Sequence, residues 1–153
     1  PASPRHATLA ARILSSTGDN VGALEILERI PNAIAAADIR ATRALIAMET
    51  EDWAAAETEA RALLSEFQNV AASWETGIAH LVIARTAIRR GELPRARREA
   101  EDAAQRRPVY DETYASLAIR ALLDVSATDL ASRIMSRLPR AVARNPRRAI
   151  LLA

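Results

Sequence analysis

Three stretches of this chain share one short pattern: "TGDNVGALEIL" from Thr17, "TEDWAAAETEA" from Thr50 and "RGELPRARREA" from Arg90. Each carries a turn residue (Gly18, Glu51, Gly91), then an acid (Asp19, Asp52, Glu92), then an alanine five positions after the turn residue (Ala23, Ala56, Ala96). A fourth copy places Val125 at the turn, with Leu130 or Ala131 at the small position. Between these points the chain is dominated by Ala, Leu, Arg and Glu, with apolar residues recurring at three and four, which is the helical period. The expectation is eight helices in four pairs, near 5–16, 20–30, 34–49, 52–65, 71–90, 93–106, 110–124 and 128–143. Strand patterns are absent, so the fold class is all-α.

A helix–turn–helix unit repeated at this spacing resembles the tetratricopeptide repeat, a unit of about 34 residues. The third and fourth copies carry most of the likeness. Ala84, Gly91, Ala96, Ala100, Ala103 and Pro108 stand at its small, turn and terminal-proline positions, and Tyr114, Leu117 and Ala118 open the next unit. Ala7, Arg40 and His80 occupy the place where the family has an aromatic, so the repeats are degenerate. The wider interval from Glu51 to Gly91 implies a lengthened first helix near 71–90. In that respect the chain is also similar to the helical-repeat sensor region of large LuxR-type transcriptional regulators.

The resemblance implies a right-handed α-α superhelix of about four antiparallel pairs, forming one domain over residues 1–153. Each pair leaves a helical face bare until the next stacks on it. The "AILLA" at the C-terminus, after Asn145 and Pro146, is expected to cap or continue the array. A chain that begins at Pro1 is expected to be a piece of a longer protein.

Chemistry is thinly supplied. There are no cysteines, which removes thiolate ligands and thiol nucleophiles. His6 and His80 lie in different repeats without ligand spacing, and His80 reads as a packing residue. Neither GxxxxGK nor GxGxxG occurs. Ser15 and Ser16 have no positioned base. The carboxylate pairs Glu57/Glu59 and Glu99/Glu101 diverge around a helix and read as solvated surface. Trp53 and Trp74 read as core. No enzyme, metal or cofactor is expected.

Binding is the expected activity. In tetratricopeptide-like arrays the first helix of each pair lines the concave face. Carrying those positions over gives Thr8, Arg12, Ser15, Ala41, Leu45, Met48, Leu81, Arg85, Ile88, Ala115, Ile119 and Leu122. Such a groove suits another protein, presented as an extended peptide or amphipathic helix, with Arg12 or Arg85 pairing an acidic group on it. The alternative that the resemblance suggests is a sensor segment of a larger transcriptional regulator, whose groove takes a small effector or a regulatory protein.

Charge supplies a third class. All 21 cations are arginine, as expected of a GC-rich bacterial genome. Residues 1–76 hold six arginines against eleven acids, and residues 77–153 hold fifteen against eight. The segment "RRGELPRARREAEDAAQRRP" reads as a balanced helix surface, with Arg95, Arg97 and Arg98 pairing Glu99, Glu101 and Asp102 one turn on. Less balanced are Arg133, Arg137, Arg140, Arg144, Arg147 and Arg148, a docking or polyanion patch, with docking preferred over nucleic acid because stacking aromatics are lacking. No apolar stretch approaches the roughly 20 residues of a bilayer span, and cytoplasm is the default compartment.

Overall fold

The computed structural model describes residues 4–67, 73–105 and 112–137, and among them all regular structure is helical. The elements are α1 (Pro4–Ser16), α2 (Asn20–Glu28), α3 (Asn32–Glu49), α4 (Trp53–Phe67), α5 (Ser73–Arg89), α6 (Leu93–Gln105), α7 (Glu112–Asp124) and α8 (Thr128–Arg137). The all-α reading therefore holds; the helix limits are close to those expected where both fall on described residues, while the expected starts at 71 and 110 and the expected end at 143 lie outside them. Pro108 and the C-terminal "AILLA" lie outside the described residues.

All four pairs close on the same backbone turn. Gly18, Glu51, Gly91 and Ser126 adopt positive φ, at 93°, 61°, 73° and 59°. The next amide, from Asp19, Asp52, Glu92 or Ala127, donates to the carbonyl five residues back, on Leu14, Ala47, Ala87 or Leu122, at 2.8–2.9 Å. The turn residue's own N–H donates to Ser15, Met48, Ile88 or Leu123 at 2.9–3.2 Å. This Schellman arrangement satisfies carbonyls that the ending helix would otherwise leave bare. The carbonyl of Asp19, Asp52, Glu92 or Ala127 then accepts from Ala23, Ala56, Ala96 or Ala131, which starts the second helix. Asp19 and Asp52 also cap with their side chains, accepting from the Gly22 and Ala55 amides at 2.9 and 3.1 Å.

The fourth turn corrects the sequence register by one residue. Ser126, not Val125, takes the left-handed conformation, and Val125 is buried. A β-branched side chain resists positive φ, whereas serine tolerates it better. The small position is then Ala131, and all four alanines so placed are buried. The extra length of the second interval is also placed differently. α4 has 15 residues where α2 has 9, while α5 with 17 is no longer than α3 with 18.

Packing follows chain order. Within each pair the two helices lie against one another, and the pairs are joined through α1 with α3, α3 with α5, and α5 with α7. α4 also packs on α5, and α6 on α7. Alanines make the close approaches possible: Ala56 and Ala60 on α4, Ala84 and Ala87 on α5, and Ala96, Ala100 and Ala103 on α6 are all buried. Larger side chains fill between them, among them Leu63, Ile78, Leu81, Val82 and Leu122. A second cluster, Ala11, Ala23, Leu27, Ile30, Ile39 and Ile46, holds the first pair on α3.

Candidate functional site

The first helices of all four pairs meet around one pocket of about 270 Å³. From α1 it takes Leu9, Arg12, Ile13, Ser15 and Ser16; from α3, Thr42, Leu45, Ile46 and Glu49. α5 adds Trp74 and Ile78, and α7 adds Tyr114. Among the described residues, none of α2, α4, α6 or α8 lines it. Leu9 and Ile13, one turn apart on α1, are exposed to 46% and 55%, so a large apolar surface borders the opening.

Polar groups in and around this pocket are organised by partners from neighbouring helices. The Arg12 guanidinium lies over the Trp74 ring, 4.5 Å from its centroid, tying α1 to α5. Ser15 donates to the Glu49 carboxylate, and its oxygen also lies 2.7 Å from Asn20 Oδ1. Thr8, just outside, is buried and bonds to Asp38 of α3. Thr42 satisfies its hydroxyl on the Asp38 carbonyl at 2.8 Å. The lining therefore joins exposed aliphatic side chains, Leu9 and Ile13, to buried Ile46 and Ile78 and to a set of engaged polar and aromatic groups.

Of the groove residues expected from sequence, Arg12, Ser15 and Leu45 line this pocket. Leu81 and Leu122 are fully buried in the core, and Ala41, Ala115 and Ile119 are buried as well. Met48 and Ile88 are partly buried against the main cluster. Arg85 is engaged by Asp124 at 2.7 Å across α5 and α7. The lining residues that the sequence did not assign to a groove are Leu9, Ile13, Ser16, Thr42, Ile46, Glu49, Trp74, Ile78 and Tyr114. Leu9 and Ile13 did carry a signal, being large, apolar and one turn apart on a helix with a strongly one-sided polar pattern.

Compared with protein-family models, curated proteins and solved structures, the chain matches none.

The arginine-rich segment is only partly the balanced surface that was expected. Arg97 does pair Glu101 at 2.8 Å. Arg95 instead reaches Glu92 at 2.9 Å and Glu57 of α4 at 3.0 Å, and Glu99 bonds His80 Nδ1 at 2.8 Å. Glu57 is buried and collects three guanidinium groups, with Arg61 at 2.8 Å and Arg90 at 2.7 Å beside Arg95. Burial works to raise its pKa, but hydrogen bonds from Arg61 and Arg95 and the charges of Arg61 and Arg90 outweigh it, holding the carboxyl below its ordinary value. Glu57 is thus a cross-pair clamp between α4 and the α5–α6 turn. Its neighbour Glu59 is partly buried and pairs Arg40 at 3.0 Å.

Both tryptophans are partly buried beneath an arginine, Trp53 under Arg89 at 4.8 Å and Trp74 under Arg12. Arg133 and Arg137 are exposed on α8, while Arg140, Arg144, Arg147 and Arg148 lie outside the described residues. Among the described residues no helix is long and apolar enough to cross a membrane.

Proposed function

We propose that this chain is a tetratricopeptide-like solenoid of four helix pairs serving as a non-catalytic interaction scaffold. Its first helices receive an amphipathic helix or apolar peptide from another protein. The observation that carries this reading is the composition of the pocket: among the described residues, its lining comes from α1, α3, α5 and α7, the first helices of the pairs. The identical turns support it, because four hairpins of one geometry stack in register and leave one set of helices facing one side. Leu9, Ile13 and Leu45 supply the apolar contact that a helix face with residues at i, i+3 or i+4, and i+7 would cover.

The structure alters the electrostatic part of the expectation. Arg85 is spent on Asp124, and Arg12 is stacked on Trp74. Affinity is therefore assigned to apolar burial rather than to an arginine–carboxylate pair. A peptide library displayed against the folded chain should enrich sequences with that helical spacing. The enriched peptides should lose at least about tenfold in affinity for a Leu9→Glu, Ile13→Glu variant whose circular dichroism is unchanged. Failure to enrich such peptides, or binding indifferent to both substitutions, would refute the groove.

A second reading is a regulatory segment that holds a small effector in the same pocket, favoured by a volume near the lower end of the roughly 300–1,000 Å³ range of small-molecule sites. It would be recognised by thermal stabilisation with a small metabolite rather than with peptides. Binding to DNA that weakens steeply from low to moderate salt and depends on Arg133 and Arg137 would instead favour the polyanion reading.

A further inference from the structure

We propose that His80, Glu99 and Asp102 form a zinc-binding site across the third helix pair, independent of the groove. His80 lies on α5 with its side chain only 12% exposed, and its Nδ1 is 2.8 Å from Glu99 Oε2 on α6. Glu99 and Asp102 are three positions apart, so their carboxylates share one helical face. One ligand atom from each of the three residues lies within 4.8 Å of the others. Zinc bonds nitrogen and oxygen at about 2.0–2.1 Å, which separates tetrahedral ligand atoms by roughly 3.4 Å. The exposed Asp102 side chain would turn inward to close that difference.

The electrostatic setting favours a dication despite the surrounding arginines. Arg95 stands one turn before Glu99 but is held by Glu92 and Glu57. Among the described residues, no ion pair joins Arg98 to Asp102, although the two are one turn apart. A neutral imidazole with two carboxylates presents a formal charge of −2, matching Zn²⁺. On binding, the ion takes the place of the His80 Nδ1–Glu99 hydrogen bond, with the neutral imidazole carrying its one proton on Nε2. Asp102 is exposed, so the fourth coordination position opens toward water, as in sites with three protein ligands. The metal would pin α5 to α6 at mid-helix of α5, two to three turns before the Gly91 turn.

Isothermal titration of the whole chain with zinc chloride near neutral pH is expected to show one ion per chain, with the thermal midpoint rising as zinc is added. Asp102→Asn changes an exposed residue and should leave the fold intact while weakening binding by at least about tenfold. His80→Gln should do the same, and His6→Ala should change nothing. Absence of saturable binding would overturn the site. So would binding retained in both Asp102→Asn and His80→Gln, or binding abolished by His6→Ala.

Discussion

Gly77 of α5 and Tyr114 of α7 fit together as a hole and its knob. A Cβ on Gly77 would lie 2.6 Å from Tyr114 Cε2 and 2.8 Å from Cζ, and Tyr114 is buried with its hydroxyl donating to the Ala103 carbonyl at 2.6 Å. One contact thereby joins three helices across two pairs. Gly77→Ala would gain about 1 kcal/mol of helix propensity. It would lose more, because Tyr114 must move and give up its hydrogen bond. Overpacking costs about 1–3 kcal/mol and the bond about 1 kcal/mol. A net destabilisation of about 1–3 kcal/mol in urea unfolding is expected. Partial recovery with Tyr114→Leu would locate the clash, and a stabilised Gly77→Ala protein would contradict it.

The four turns differ in how well their residues suit positive φ. Glu51 and Ser126 pay a steric penalty there that Gly18 and Gly91 avoid. Glu51→Gly and Ser126→Gly should each stabilise by roughly 0.5–1 kcal/mol, after allowing for the greater freedom of glycine in the unfolded chain. Gly18→Ala and Gly91→Ala should each cost roughly 1 kcal/mol. No atom lies within 4 Å of the Cβ either would add, so that cost is backbone strain alone. Thermal midpoints of the four single variants test the signs.

Glu57 gives stability a defined acid dependence. Its carboxyl titrates below the ordinary value of 4.5 in the folded chain, so the unfolded chain binds the proton first as pH falls. The stabilisation is complete above about 4.5 and is lost as the pH drops through the lowered folded value. Glu57→Gln should lower stability at neutral pH by about 2 kcal/mol, the scale of a charged hydrogen bond. It should also flatten the dependence below pH 4.5. Urea midpoints from neutral pH downward would measure both, and parallel acid slopes in the two proteins would count against the clamp.

Arg12 and Trp74 should be energetically coupled through the first and third pairs. A double-mutant cycle with Arg12→Ala and Trp74→Leu is expected to return about 0.5–1 kcal/mol of coupling, the range for a cation over an aromatic ring. The same pair shapes the pocket floor, so each single variant should also alter peptide binding. Zero coupling would mean that the stacking contributes nothing to the joint between the pairs.

Much of the secondary structure was legible because its causes are local. Gly18 and Gly91 mark turns by their backbone freedom, Asp19 and Asp52 cap the helices that follow, and Ala23, Ala56 and Ala96 keep a constant offset from those turns. The fourth turn was misread by one residue because neither Val125 nor Ser126 is a glycine, and only backbone strain distinguishes them. The site was less legible. Leu45 and Arg85 each stand six residues before their turn residue, yet Leu45 borders the pocket while Arg85 is drawn to Asp124.

By itself, then, the sequence determined the all-helical class and the three turns marked by an acid after the turn residue, since these depend on φ preferences, capping and a 3.6-residue period within a few neighbours. Only the tertiary structure decided which first-helix residues face the pocket and where the charges go. A helix turned by one position exchanges a buried side chain for an exposed one, and that rotation is set by packing against helices 30 or 40 residues away. Glu57 shows the same dependence: a surface carboxylate by local pattern, it became a buried clamp because Arg90 and Arg95 arrive from the next pair.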